Sequence, residues 1–227
     1  GFDDTASDTG KRVIGLKTKF RSRVRVVGLG AGAKIRGQAP DFNLEIARKD
    51  IAPEDIEMLT RELNLKETTP TTLEALANSF GREGWFSAFR DLKNGDMVED
   101  ENGKKVPASN SVAAWANRTG VNVSAAEGLH SKLGRLFNKP YIVEKPAADS
   151  IGEIVKALGS GQHVVLSFGD FESDLDYLLV ANLLTRRIRA AWEQRTNAFR
   201  STGQDEPRPL DPRRRARSVR TSAYWKE

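Results

Sequence analysis

The stretch Gly161–Glu193, GQHVVLSFGDFESDLDYLLVANLLTRRIRAAWE, constrains the fold more than any other part of the chain. The run HVVLSF is short and apolar and ends in a glycine-bearing turn, which predicts a buried strand. Asp170, Glu172, Asp174 and Asp176 follow, and then a long helical pattern reaching about Phe199. Asp174 and Asp176 fall in its first turn, where negative charge complements the helix dipole. From Tyr177 to Leu184 the helix is apolar on every side except Asn182, which predicts burial all round and a hydrogen-bond partner for Asn182. Its second half carries Arg186, Arg187, Arg189, Arg195 and Arg200. Those arginines mark either a helix end that leaves the core for solvent or a surface that meets phosphate or a neighbouring subunit.

The rest of the chain is organised around this unit. RVIGL (Arg12–Leu16) and RVRVVGLG (Arg23–Gly30) are β-branched and alternating, which predicts two strands. From about Pro53 to Asn138 the pattern is helical. Pro53 suits the first turn of PEDIEMLTRELN, where its missing N–H costs nothing. Pro70 does the same in PTTLEALANSF, with Thr69 as the expected cap, and Ser124 with Glu127 has capping-box spacing. KNGDMVEDENGKKVP (Lys93–Pro107) is polar and glycine-bearing, which predicts an exposed loop or short hairpin. After Pro140 the order is YIVEK as strand, IGEIVKALGSG as a helix ended by glycine, then HVVLSF and the long helix, an alternation that argues for a parallel βαβ unit. Four regions are expected: strands of an α/β core over 1–50, a helical bundle over 51–139, the βαβα part of the core over 140–200, and a disordered basic tail over 201–227.

Composition excludes some classes. The chain has 227 residues, 38% hydrophobic and 30% charged, enough apolar side chains for a core. No apolar run approaches the eighteen or so residues that span a bilayer, and GFDDTASDTGKR reads as a loop, not a signal peptide. The chain lacks Cys, which excludes disulfides and thiolate metal sites and fits the reducing cytoplasm. Of the net charge of +5, three units fall in Ser201–Glu227, where seven Lys and Arg stand against four Asp and Glu. That segment reads as a disordered basic tail, or as one that touches nucleic-acid phosphate.

Several chemical motifs fail on inspection. VVGLGAGA (Val26–Ala33) matches a dinucleotide fingerprint, but the helix it requires would run through Gly37 and Pro40, and proline breaks a helix interior. A glycine-rich turn is expected instead. No P-loop is present: Gly10-Lys11, Gly103-Lys104 and Lys34 each lack the required neighbours. The acids at 170, 172, 174 and 176 resemble a calcium loop, except that Leu175 occupies the place of the turn glycine. With only His130 and His163 and no Cys, no zinc ligand set can be assembled. Ser79 and Ser167 lack the glycine that precedes the serine of a nucleophile elbow. No catalytic residue and no metal site can be assigned.

Gly161–Ile188, GQHVVLSFGDFESDLDYLLVANLLTRRI, resembles the central region of the HerA/FtsK-type hexameric ATPases, the HerA-like helicases, where a hydrophobic strand leads into a helix with a V-x-N-L-L-x-R-R-I-like sequence. The opening GFDD is similar to the segment just beyond the acidic turn after the second strand of that family's nucleotide-binding core. DIAPEDIEMLTRELNL is similar to the helical bundle inserted into it. The resemblance covers about residues 1–200. It implies a partial RecA-like P-loop ATPase core with an inserted helical bundle, from a parent that hydrolyses ATP with Mg²⁺ and moves on double-stranded DNA. That parent would work as a homo-hexamer in the cytoplasm, with a nuclease as a possible partner. Arg186, Arg187 and Arg189 are the candidates for contact with DNA phosphate or a neighbouring subunit.

This sequence departs from the family where the chemistry should lie. The P-loop and a magnesium-side acid belong upstream of Gly1, and the Walker B strand with its paired acids should come after EPRPL at Leu210. DPRRRARSVRTSAYWKE stands there instead, so an interrupted or frame-shifted reading frame after Leu210 is expected. Phosphoryl transfer requires a phosphate cradle and held Mg²⁺, so this chain alone is expected to be inactive, with no cofactor. The alternative is a non-catalytic nucleic-acid-binding or assembly module with a basic tail.

Overall fold

The computed structural model describes residues 15–35 and 38–202, and the backbone of two short strands, β1 (Thr5–Ala6) and β2 (Arg12–Val13), which pair antiparallel. The chain is mixed α/β. The strand expected over Arg12–Leu16 is represented by β2, because Leu16 already opens α1 (Leu16–Phe20). The tail beyond Thr202 lies outside the described residues. The chain divides into two compact units, one drawn from Gly1–Arg25, Ile154–Val165 and Ile188–Glu227, the other from Val26–Glu153 and Leu166–Arg187.

In the smaller unit α1 leads into a turn at 21–23. The Lys17 ammonium donates to the Val24 carbonyl at 2.8 Å, and the Gln162 amide donates to the Ser22 carbonyl at 2.8 Å. The first bond joins residues seven apart and the second residues 140 apart.

The larger unit begins within β3 (Val24–Leu29), at Val26, and Val26, Val27 and Leu29 are buried. β4 (Phe42–Leu44) pairs parallel to β3, with Val27 opposite Phe42 and Leu29 opposite Leu44. β5 (Ile46–Ala47) follows at once. Next comes a helical module: α2 (Pro53–Glu57), α3 (Thr69–Phe80), α4 (Trp85–Asp91), a hairpin of β6 (Met97–Glu99) and β7 (Lys105–Pro107), α5 (Val112–Thr119) and α6 (Val123–Phe137). The chain then returns through β8 (Ile142–Val143), α7 (Ser150–Gly159), β9 (His163–Ser167) and α8 (Asp174–Thr202).

The helical module is packed by aromatic residues. Trp85, Phe86, Phe89 and Trp115 are buried, and Phe86 meets Phe137 edge-on at 5.3 Å. Each such ring contributes roughly 1.5–3 kcal/mol by leaving water. The two indoles keep hydrogen bonds, Trp85 to the Ile51 carbonyl at 2.9 Å and Trp115 to the Ser79 hydroxyl at 3.2 Å. The hairpin at 97–107 matches the expectation of an exposed polar excursion.

Local competition moves several boundaries. The helix expected over PEDIEMLTRELN is confined to Pro53–Glu57, and the chain turns from Met58 onward, with Asn64 at φ 49°. Thr69 is the first helical residue of α3, not its cap. The capping box at Ser124 and Glu127 does not form. Asn122 is in place first, its side-chain Oδ1 accepting from the Ala125 N–H at 2.9 Å, while Gly120 in the left-handed region closes α5 two residues earlier.

Strand pairing corrects a larger expectation. β8 lies parallel to β5, Ile46 opposite Ile142 and Ala47 opposite Val143, whereas β9 belongs to a separate three-stranded sheet in the order β4-β3-β9. The strands on either side of α7 therefore do not form one βαβ unit. β9 is also half-exposed along most of its length, not buried.

His130 yields a pH prediction. Its ring is enclosed by Phe89 at 5.1 Å and Phe137 at 5.3 Å, and its Nε2 has no partner among the described residues. Burial pushes its pKa below the ordinary imidazole value, against a smaller opposing effect of the backbone at Phe89, Arg90 and Leu92. The folded state disfavours the imidazolium, so this contribution to stability is complete above ~6.5 and is lost as pH falls through the lowered folded value. Denaturant unfolding across that range is expected to lose stability on the acid side in the native chain, and His130→Leu is expected to lack that one-proton slope.

Candidate functional site

The glycine-rich turn after β3 is closely packed at Gly28 and Gly30. Gly30 adopts φ +85°, and a Cβ there would sit 3.3 Å from the Phe171 ring. A Cβ on Gly28 would come within 2.7 Å of the Ala33 methyl. These glycines allow close packing of the chain on itself, and the segment runs into a bridge between Ile35 and Gln38 where a cofactor-binding helix would have to start. Asp41 accepts from the Val26 N–H at 2.7 Å and so closes the loop.

Two of the charged groups that the structure brings together lie along α8. Tyr177–Leu184 is not buried on all sides. Leu175, Asp176, Leu179, Val180 and Leu183 form one buried face, while Tyr177 and Leu178 are exposed. This is the 3.6-residue period of a helix packed on one side. The Asn182 amide nitrogen is buried without a partner among the described residues.

Two carboxylates anchor this face. Asp55, in the first turn of α2, is only 3% exposed. It accepts from the Ala52 N–H at 2.8 Å, and Arg186 binds it through both oxygens, Nε at 2.9 Å and the terminal nitrogen at 2.6 Å. The same guanidinium donates to the Asp50 carbonyl at 2.7 Å. The hydrogen bonds to Asp55 hold the Arg186 pKa above its ordinary value despite partial burial. A planar fork matched to a carboxylate in this way is a role Lys cannot fill.

Asp176, 1% exposed, accepts from the Lys139 ammonium at 2.9 Å, the Tyr141 hydroxyl at 2.5 Å and the Ser173 hydroxyl at 2.6 Å. Burial pushes its pKa up, and the hydrogen bonds from Lys139, Ser173 and Tyr141 outweigh this, leaving it below the ordinary carboxylate range. Tyr141 is shifted upward by burial and by the Asp176 charge, and so stays protonated as a donor.

The three predicted contact residues thus separate. Arg186 is turned into the fold. Arg187 is partly exposed and lies 3.7 Å from the Asp50 carboxylate. Arg189 is 79% exposed and pairs with Glu193 one turn on, at 2.7 Å. Among the described residues no group of three or more His, Cys, Asp or Glu could hold a metal, and no helix is long and apolar enough to cross a membrane. An opening of about 310 Å³ on the helical module, lined by Asn94, Gly95, Glu127, Gly128 and Ser131, contains one carboxylate and no base to work with it.

Comparison with protein-family models, with curated proteins and with solved structures finds no match.

Sequence reasoning missed Asp55, Lys139 and Tyr141 and assigned Asp176 only to the helix dipole. A signal was available: Asp176 lies three and four residues before Leu179 and Val180, on the apolar stripe, where a carboxylate needs a cation. The two arginines should separate in stability measurements. Arg186→Ala leaves the Asp55 carboxylate buried and unpaired, and with allowance for the partial exposure of Arg186 is expected to cost about 2–3 kcal/mol in denaturant unfolding. Arg189→Ala is expected to leave the unfolding midpoint unchanged.

Proposed function

We propose that this chain is part of a HerA-type DNA translocase, contributing strands of a RecA-like core, an inserted helical bundle and a basic helix surface, with the nucleotide chemistry outside it. The observation that carries this reading is the unit β9–turn–α8. The residues that resemble the family, Gly161–Ile188, fold as a strand, an acidic turn and a long helix whose apolar face is packed and whose arginines come after it. A helical module between β5 and β8 supports reading residues 51–139 as an insertion. Arg187 and Arg189 are the residues through which α8 would meet phosphate or a neighbouring subunit. Arg186 serves the fold.

The coding DNA on both sides tests the reading. A P-loop encoded upstream, and a strand ending in paired acids after Leu210 in any forward frame, are expected. An open frame with neither would sink it. The purified chain is expected to show no ATP hydrolysis above a buffer control, and turnover that co-purifies with the chain through successive columns would reverse that conclusion.

A second reading, a non-catalytic binding or assembly module, is favoured by the exposure of Arg187, Arg189 and Arg200 on the second half of α8. It predicts duplex DNA binding that weakens steeply with salt and is reduced about tenfold or more by R187E/R189E. Retention of a filter-bound duplex by the double variant at the native level would remove it.

A further inference from the structure

The helical module is fastened to α8 at both of its ends. Asp55 lies at its entrance and is held by Arg186, and Lys139 and Tyr141 lie just past its exit and hold Asp176. The two anchor points on α8 are ten residues apart, roughly 15 Å along the axis. The pairing of β5 with β8 sets the two ends side by side, since Ile46 faces Ile142.

A continuous packed path also joins the anchors through the module. Ile51, fully buried, accepts the Trp85 indole N–H at 2.9 Å; Trp85 meets Phe86 at 5.4 Å, and Phe86 meets Phe137 at 5.3 Å. Phe137 ends α6, where the Lys139 N–H donates to the Leu136 carbonyl at 3.1 Å and the Ile142 N–H to the Lys139 carbonyl at 2.9 Å. Opening the Arg186–Asp55 pair would leave a buried carboxylate without its cation, so α2 must move away from α8 to reach water. That movement displaces Ile51 and Trp85, and a close-packed interior passes the displacement on instead of absorbing it.

We propose that the first half of α8 and the helical module form one cooperative lever, in which the two anchors open together and movement of the helix carries the module with it. The lever is independent of the motor reading and would stand if that reading failed.

The test is native-state hydrogen exchange on the full chain. In Arg186→Gln, amides at 50–58 exchange faster, and the lever requires that amides at 139–143 and 174–183 accelerate by a similar factor, about tenfold. Those of Val26–Leu29 keep their native rates. Acceleration confined to 50–58 would show two independent anchors and overturn the proposal. Equal acceleration at Val26–Leu29 would show only a loss of global stability and overturn it as well. Tyr141→Phe removes one hydrogen bond at the other anchor and keeps the Lys139–Asp176 pair, so it tests the coupling from the opposite side in a chain that still folds. About threefold faster exchange at 50–58 is expected there, and unchanged rates at 50–58 would refute the lever.

Discussion

A buried carboxylate is tolerable only if a cation or several donors come with it, and the larger unit contains two that the rest of the architecture serves. Asp55 and Asp176 have almost no water contact, so each would carry a desolvation penalty of several kcal/mol if left alone. Arg186 answers the first with a two-pronged fork, and Lys139, Tyr141 and Ser173 answer the second with three donors. Removing either pair in favour of apolar side chains could leave stability intact. What the ion pairs add is registration, because a fork on α8 and a carboxylate on α2 fit together in only one alignment.

Registration explains why the arginine-rich half of α8 is less uniform than its sequence suggests. Successive residues on a helix are displaced by about 100°, which turns Arg187 off the face of Arg186, whereas Arg189 shares that side but is already in solvent. Arg186 continues the face that holds Leu179 and Leu183, and it meets Asp55. Arg187 lies at the margin near Asp50, and Arg189 is out in solvent with Glu193. A charge run in sequence thus divides into one structural cation and a set of surface cations. Only the latter can approach another molecule without first breaking the fold.

The range of each interaction decides how legible it was in the sequence. The 93–107 hairpin, the glycine turn after β3, α7 and α8 are set by nearby residues, and each lies close to where its pattern puts it. The pairing of β5 with β8 was invisible. These are two-residue strands about a hundred residues apart; YIVEK marks β8 as strand, but nothing local names β5 as its partner. The cap of α6 was misplaced because Asn122 and Ser124 are both good caps, and the choice fell to the glycine that ends α5. Burial on α8 was overestimated because an apolar run reports hydrophobicity, not the number of neighbours that will cover it. Tyr177 and Leu178 are exposed for that reason.

Within the described residues the charged side chains that converge do so on one another. Arg186 with Asp55, Lys139 with Asp176, and Arg48 with Glu144 are pairs between distant segments. In the first two pairs the carboxylate is almost fully buried, whereas Glu144 is exposed and the Arg48 Nε is buried without a partner among the described residues. Beyond Arg186 the same helix carries exposed arginines at 187, 189 and 200. The Asp55 and Asp176 pairs fix the first half of α8, from Asp174 to Arg187, within the larger unit.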